Sequence, residues 1–464
     1  MADEHLPAAL ASDTKLAGLP DRRLRDRLAA VTGKLEVDPS QSFPDAFTTA
    51  AELEGAYRFF SNPVVTPDRI LCPHFENTRA CAAAEPTVLV VHDSSTFAFD
   101  PDGARSGLGR VREAGQAFFG HVSLVIADDG SRRPLGLAAL TTWVRTEKKA
   151  SGAERARWRE SVRLSAERLG GPQNLVHVMD READDYALFL HLVEGGHRFV
   201  IRVAKDRLLV ESTWREPRKL SDAAAQIECV VRREAKLSKR IDGARSPQQK
   251  ASHPSRGTRL AKLAVGATSI TLKRPKPQEK TLAPSLSLHL VRVWELDSPA
   301  GEEPIEWLLL TTDPVDSPDA LLRIVDRYRA RWTIEEYFKA LKTGCAYSER
   351  QLGDYEGLIN ALAVFAPIAC RMLALRSDAQ HAPDAPAQRV LEPDELKVLR
   401  ALGRTKLSAN PSARDALLAV AALGGHIKWS GEPGWLTIAR GFTKLQTLTE
   451  GWRLARLQRE CDQG

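Results

Sequence analysis

Thr87-Val88-Leu89-Val90-Val91-His92-Asp93 is a run of strand-forming residues that ends on a carboxylate. Consecutive apolar and β-branched side chains of this kind predict a strand covered on both faces. A carboxylate closing such a strand is costly without a partner, which makes Asp93 the first candidate site residue. Leu175-Val176-His177-Val178-Met179 is a second buried-strand run, and it leads into Asp180. Between them lie strand-like segments at His121–Ala127 and Leu135–Val144, joined by the hairpin signal Asp128-Asp129-Gly130. An amphipathic helix is expected over Glu154–Leu169, stopped by Gly170-Gly171. A helix from Asp184 to Val193 and a strand over Phe199–Val203 follow.

The order β-β-β-α-β-α-β predicts an α/β fold. With one acid on the first strand and another after the fourth, it resembles the ribonuclease-H-like core. That resemblance implies two central parallel strands that present carboxylates side by side at one edge. Upstream, Leu24, Leu28 and Val31 repeat at helical spacing, with Arg23 and Arg27 four apart on another face. Further helices are expected over Ala50–Phe60 and from Thr66-Pro67, threonine as cap and proline at the first helical position. This basic helical module suits DNA docking or a lid on the next domain.

Downstream, residues 206–304 break the alternation and are rich in Pro, Ser and Lys. Strand-like Ser269–Leu272 and Leu286–Trp294 make this stretch a β-rich insertion with a flexible basic loop. Trp307–Thr312 returns to core-like sequence, and Ser317-Pro318-Asp319 opens helical sequence that runs to Lys342. Residues 377–391 read as a linker or exposed loop, with helices again over Leu396–Leu402, Ala416–Leu423 and Phe442–Leu457. Three domains are expected: helical DNA-binding 1–72, catalytic 73–375 and helical C-terminal 376–464.

The whole chain of 464 residues has a formal charge of +6, but residues 231–280 alone hold 14 Lys/Arg against three Asp/Glu. Like charge so concentrated favours contact with a polyanion. No apolar run is expected to approach the ~20 residues of a membrane span. Met1-Ala2-Asp3-Glu4 lacks the basic start of a secretory signal, so a cytoplasmic, nucleoid-associated protein is expected. The six cysteines form no C-x-x-C pair, which supports neither a zinc site nor a disulfide framework.

A third acid lies in Tyr328-Arg329-Ala330-Arg331-Trp332-Thr333-Ile334-Glu335-Glu336-Tyr337-Phe338-Lys339-Ala340-Leu341-Lys342. On a helix wheel Tyr328, Arg331, Glu335, Lys339 and Lys342 fall within about 80° of one another. Thr333 and Glu336 form a capping-box pattern, so the helix is open to a break near Trp332. Phosphodiester cleavage needs an activated nucleophile and a stabilised leaving oxygen, which two divalent metals on carboxylates supply. Asp93, Asp180 and Glu335 are the acids available for that task.

Tyr328, Arg331, Glu335 and Lys342 match the Tyr-x2-Arg-x3-Glu-x6-Lys signature of DDE transposases of the insertion-sequence-four type. Asp180-Arg181-Glu182-Ala183-Asp184 resembles the second-acid motif of that family, and Val91-His92-Asp93-Ser94-Ser95-Thr96 its first. Glu54-Gly55-Ala56-Tyr57-Arg58-Phe59-Phe60-Ser61-Asn62-Pro63, Trp307–Thr311 and Leu423-Gly424-Gly425 are similar as well, in the transposon-five branch. The resemblance implies that Asp93, Asp180 and Glu335 bind two Mg2+, with Mn2+ as substitute. It implies that Tyr328, Arg331, Lys339 and Lys342 grip phosphates, and that Trp307 stacks on a base flipped from a DNA hairpin. Arg23, Arg27 and Arg58 would hold the transposon end, and the C-terminal helices would pair two subunits into a homodimer.

Two other readings remain: a ribonuclease-H-like nuclease, and a non-catalytic derivative that only binds transposon ends. A serine hydrolase built from His92-Asp93-Ser94 is disfavoured, because neighbours on a strand point to opposite faces.

Overall fold

The computed structural model describes residues 17–100, 105–110, 115–145, 152–210, 218–237, 255–276, 281–402, 406–427, 429 and 431–463. Residues 238–254 and 277–280 of the basic stretch therefore lie outside the described residues. The chain forms two compact units, Met1–Leu175 with Trp332–Gly464, and Val176–Arg331. The first holds residues on both sides of positions 72 and 375.

In the first unit, helices α1 (Arg22–Val37), α2 (Phe43–Ala46), α3 (Ala50–Phe60) and α4 (Pro67–Ala83) precede the strands. Their starts follow local chemistry: Asp21, Ser42, Thr49 and Thr66 each accept a backbone N–H of the first turn. Strands β1 (Val88–Phe99), β2 (Gly109–Arg110), β3 (Gln116–Ala127) and β4 (Pro134–Trp143) are antiparallel, β3 lying between β1 and β4. Helix α5 (Gly152–Leu169) ends at Gly170 and Gly171, whose φ of 89° and 120° suit glycine rather than a residue with a Cβ. Ala82, Val88, Val90, Val125, Leu135, Ala138 and Leu175 form a buried cluster between α4 and the strands.

In the second unit, β5 (Leu175–Met179) is parallel to β6 (Arg198–Arg202), with a helix, α6 (Tyr186–Glu194), between them in sequence. Strands β10 (Glu306–Thr311), β9 (Ser285–Glu295), β8 (Arg259–Lys273) and β7 (Val231–Leu237) then extend the sheet antiparallel from β6. Helix α7 (Leu220–Ala225) precedes β7, and α8 (Pro318–Ala330) packs on β6, β7 and β8. The fold is thus mixed α/β, and the expected order of its first elements holds with the two-residue β2 interposed. The strand segments expected in the insertion are parts of the longer β8 and β9.

Helical sequence after Ser317 is not one helix. It breaks at Arg331, resumes as α9 (Trp332–Lys339) and widens into a π-helical turn over Ala340–Gly344. The rest of the first unit is α10 (Tyr355–His381), α11 (Pro393–Leu402), α12 (Ala413–Leu423) and α13 (Trp435–Gln463). Contrary to expectation, α10 is long and apolar enough to cross a membrane by length and composition, but its apolar window is wholly buried. It is a core helix. The expected linker at 377–391 is narrowed rather than absent: Ser377 and Asp378 are buried in the last turns of α10, Pro383, Asp384 and Pro386 form an exposed loop, and Ala387, Val390 and Leu391 are buried after it.

Several imidazoles are buried, and His121 and His177 depart furthest from the ordinary value. Burial, aided by the charge of Arg157, brings His121 down to about 3, and burial with His197 and His191 nearby does the same to His177. An unfolded imidazole takes its proton near pH 6.5, as an order of magnitude. The unfolded chain then binds more protons below about pH 6.5, so this stability is complete above that pH and is lost as pH falls toward about 3. Each histidine contributes at most about 1.4 kcal/mol per pH unit within that window. Thermal midpoints measured from pH 8 to pH 5 should fall below about pH 6.5, and less steeply in His121→Phe. A midpoint flat across that range contradicts the assignment.

Candidate functional site

Asp93 lies within β1 opposite Val122 of β3, and the strand runs on past it to Phe99. It is half-buried, and its Oδ1 accepts the Ser94 backbone N–H at 2.8 Å. Alternation places Asp93 and Ser95 on one face of β1, His92 and Ser94 on the other. On that second face two Ser–His pairs cross between the strands, Ser94 Oγ to His121 Nδ1 at 2.8 Å and Ser123 Oγ to His92 Nδ1 at 3.0 Å. Both imidazoles are buried. They fasten β1 to β3 behind Asp93, so a Ser–His contact exists here with a structural role.

Glu335 stands in the first turn of α9, half-buried, on a helix that packs against β1. Phe338 meets Phe97 of β1 edge-on, with ring centroids 6.4 Å apart. Glu336 does not turn back to cap the helix; it accepts Lys339 Nζ at 2.6 Å and Trp435 Nε1 at 3.0 Å. Lys339 is exposed on that side. Lys342 goes elsewhere, because the π turn carries it onto β1, where its Nζ donates to Ser95 Oγ and to the Thr96 carbonyl, both at 2.7 Å. Burial brings its ammonium down to about 8, against the pull of the Asp93 charge. Asp93, Glu335 and Lys342 thus belong to one unit.

The second unit carries Asp180, Trp307, Tyr328 and Arg331. Asp180 follows β5 and caps a single 3-10 turn, Arg181–Ala183, by accepting the Glu182 backbone N–H at 2.8 Å. Its neighbour in sequence, Asp184, is fully committed: it is buried, paired with Arg207 and accepts the N–H groups of Ala204 and Lys205, each at 2.7 Å. Trp307 is half-buried on β10 rather than core, and Tyr328 of α8 meets it edge-on at 5.4 Å and 66°.

Arg202 is the residue that sequence reasoning missed. It bonds the Tyr328 hydroxyl and donates to the Glu306 carbonyl at 3.3 Å. Burial first, then the charges of Arg181 and Arg331, lower its pKa. Arg202 thus joins the aromatic pair through Tyr328, and the charges of Arg181 and Arg331 act on it, a concentration of positive charge that suits a phosphate. The available signal was a cation closing the buried run Phe199-Val200-Ile201, in register with Leu309 two residues from Trp307.

Among the N-terminal arginines, Arg23 and Arg27 are exposed on α1, Arg27 lying over Gly55 of α3. Arg58 is exposed and pairs with Glu54 at 3.1 Å. Among the described residues no group of three or more His, Cys, Asp or Glu side chains is placed to hold a metal ion. Carboxylates are the donor type that hard divalent cations prefer; Asp93 and Glu335 belong to the first unit and Asp180 to the second.

A protein of this class, mixed α/β with cationic aromatic surface and exposed basic helices, is equipped to hold nucleic acid. Residues 7–65, which include α1 to α3, match the family model of transposase DNA-binding regions. That match supports a DNA-binding transposase and therefore a DNA-processing enzyme.

Each arginine that contacts a DNA phosphate adds about one counterion to those released on binding. Arg202→Gln should weaken duplex binding and reduce the slope of log K against log salt by about 1. Fluorescence anisotropy across a salt series measures it; an unchanged slope removes Arg202 from the DNA surface.

Proposed function

We propose that this chain is a cut-and-paste DNA transposase of the insertion-sequence-four type. It nicks transposon ends, excises through a DNA hairpin and transfers the 3′-OH ends to target DNA. The observation that carries the reading is the transposase DNA-binding match at 7–65 in the same chain as the Tyr328, Arg331, Glu335 and Lys342 spacing.

In this reading Asp93, Asp180 and Glu335 would hold two Mg2+ or Mn2+ in a ribonuclease-H-like core. When bound, such ions activate the attacking oxygen and stabilise the leaving one. The chain's own groups do the rest. Tyr328, Arg331, Arg202, Lys339 and Lys342 hold phosphates of the end so that the attacking and leaving oxygens lie in line. Trp307 offers an aromatic face to a base that leaves the stack when the strand turns sharply. Arg23, Arg27 and Arg58 fix the end sequence through the N-terminal helices, and the C-terminal helices join two copies into a homodimer that works on double-stranded DNA.

One observation favours a second reading. The family-model match covers the DNA-binding region alone, residues 7–65, which suits a non-catalytic derivative that binds transposon ends without cutting them.

Cleavage of a labelled duplex carrying the ends that flank the gene separates the two. With Mg2+ the wild-type protein should give hairpin product, and Glu335→Ala should bind the duplex equally and give none. Binding without cleavage by the wild type, in Mg2+ and in Mn2+ alike, selects the binding-only derivative.

A further inference from the structure

A lysine ammonium has three N–H donors on a flexible four-carbon stem, with none of the fixed fork geometry of arginine. Its direction must come from what it touches. Lys342 spends two donors on β1, one on the Ser95 hydroxyl and one on the Thr96 carbonyl. Its Nζ lies 5.1 Å from the Phe97 ring centroid and 5.9 Å from that of Phe338, so aromatic walls restrict its swing. With two donors fixed, tetrahedral geometry sets the third. Ser95 shares the Asp93 face of the strand, and the Asp93 charge acts on the same ammonium.

We propose that Ser95 is a positioning residue which, with the Thr96 carbonyl, aims the one remaining Lys342 N–H at a DNA phosphate beside Asp93. The proposal rests on the transposase reading. It assigns a task to a hydroxyl that the signature spacing does not include. Of the two acceptors, Ser95 is the one a substitution can remove, because the Thr96 contact is made by backbone.

Three proteins and a double variant test it. Ser95→Ala should lower the single-turnover rate of end cleavage about tenfold, the worth of a hydrogen bond to a charged group, in protein that is folded at the assay temperature. Ser95→Thr keeps the hydroxyl and should restore the rate. In a Lys342→Ala background, Ser95→Ala should cost nothing more, because the contact it serves is already gone. A hydroxyl that only stabilised the fold would lower the midpoint and leave the cleavage rate of the folded protein unchanged.

Acylation of Lys342 by an amine-reactive ester, read by mass spectrometry against exposed Lys339, reports the contact without any DNA. The ratio should rise in Ser95→Ala. An unchanged ratio, a wild-type cleavage rate in Ser95→Ala, or penalties that multiply overturns the proposal. A wild-type protein that binds ends but never cuts them ends the transposase reading alone, and the acylation ratio then decides the Ser95 contact by itself.

Discussion

Burial of α10 is the constraint on which the first unit depends. Nearly every residue from Gly357 to Ala379 is buried, so each polar group on this helix needs a partner inside the protein. Asn360 donates to the Phe60 and Val65 carbonyls at 2.8 and 3.0 Å, which ties the end of α3 to the helix. Arg371 donates to Glu36 of α1 at 2.9 Å and to Glu395 of α11 at 2.6 Å. Arg350, just before α10, bonds the Pro39 carbonyl at 2.6 Å. Helices near both termini are therefore fastened to the same core element. Neutral hydrogen bonds and a buried ion triad give these contacts direction, which apolar packing on its own does not.

Local chemistry was legible in the sequence where it is written in neighbouring residues. Thr49, Thr66-Pro67 and Ser317-Pro318 start helices where expected, and Asp128-Asp129-Gly130 turns a hairpin. What escaped depends on partners far away in sequence. Asp93-Ser94-Ser95-Thr96 reads as the end of an apolar run, yet pairing with β3 carries the strand through it to Phe99. Residues 377–391 look polar and small, but the Ser377 hydroxyl donates to the Arg132 carbonyl at 3.0 Å and Arg389 lies 3.6 Å from Asp378. The same holds at the site: Tyr328 stood out by the signature spacing and Trp307 by the resemblance, whereas Arg202 became visible only through the register of β6 and β10.

Acidic residues near the site divide by their surroundings. Asp184 is enclosed by Arg207 and two backbone N–H groups, and Asp313 by Arg198 at 2.7 Å and by Arg327. Such carboxylates are spent on holding loops, since breaking a buried pair leaves a costly lone charge. Asp93, Asp180 and Glu335 are half-buried instead, and Asp93 and Asp180 each accept a backbone N–H close to them in sequence. Solvent still reaches them. That contrast separates structural acids from candidate acids more sharply than sequence position does.

The wide turn at Ala340–Gly344 has a consequence for how the Tyr-Arg-Glu-Lys pattern should be reused. The Cys345 N–H bonds the Ala340 carbonyl at 2.8 Å, five residues back, so the backbone here is not on the α repeat. Glu335 and Lys342 are two α turns apart by arithmetic only. Grafting these residues onto an ideal straight helix would keep every letter of the pattern, and the lysine would project along the helix instead of across to a strand. A transplant that is to preserve the arrangement has to carry the wide turn and the strand it leans on as one piece.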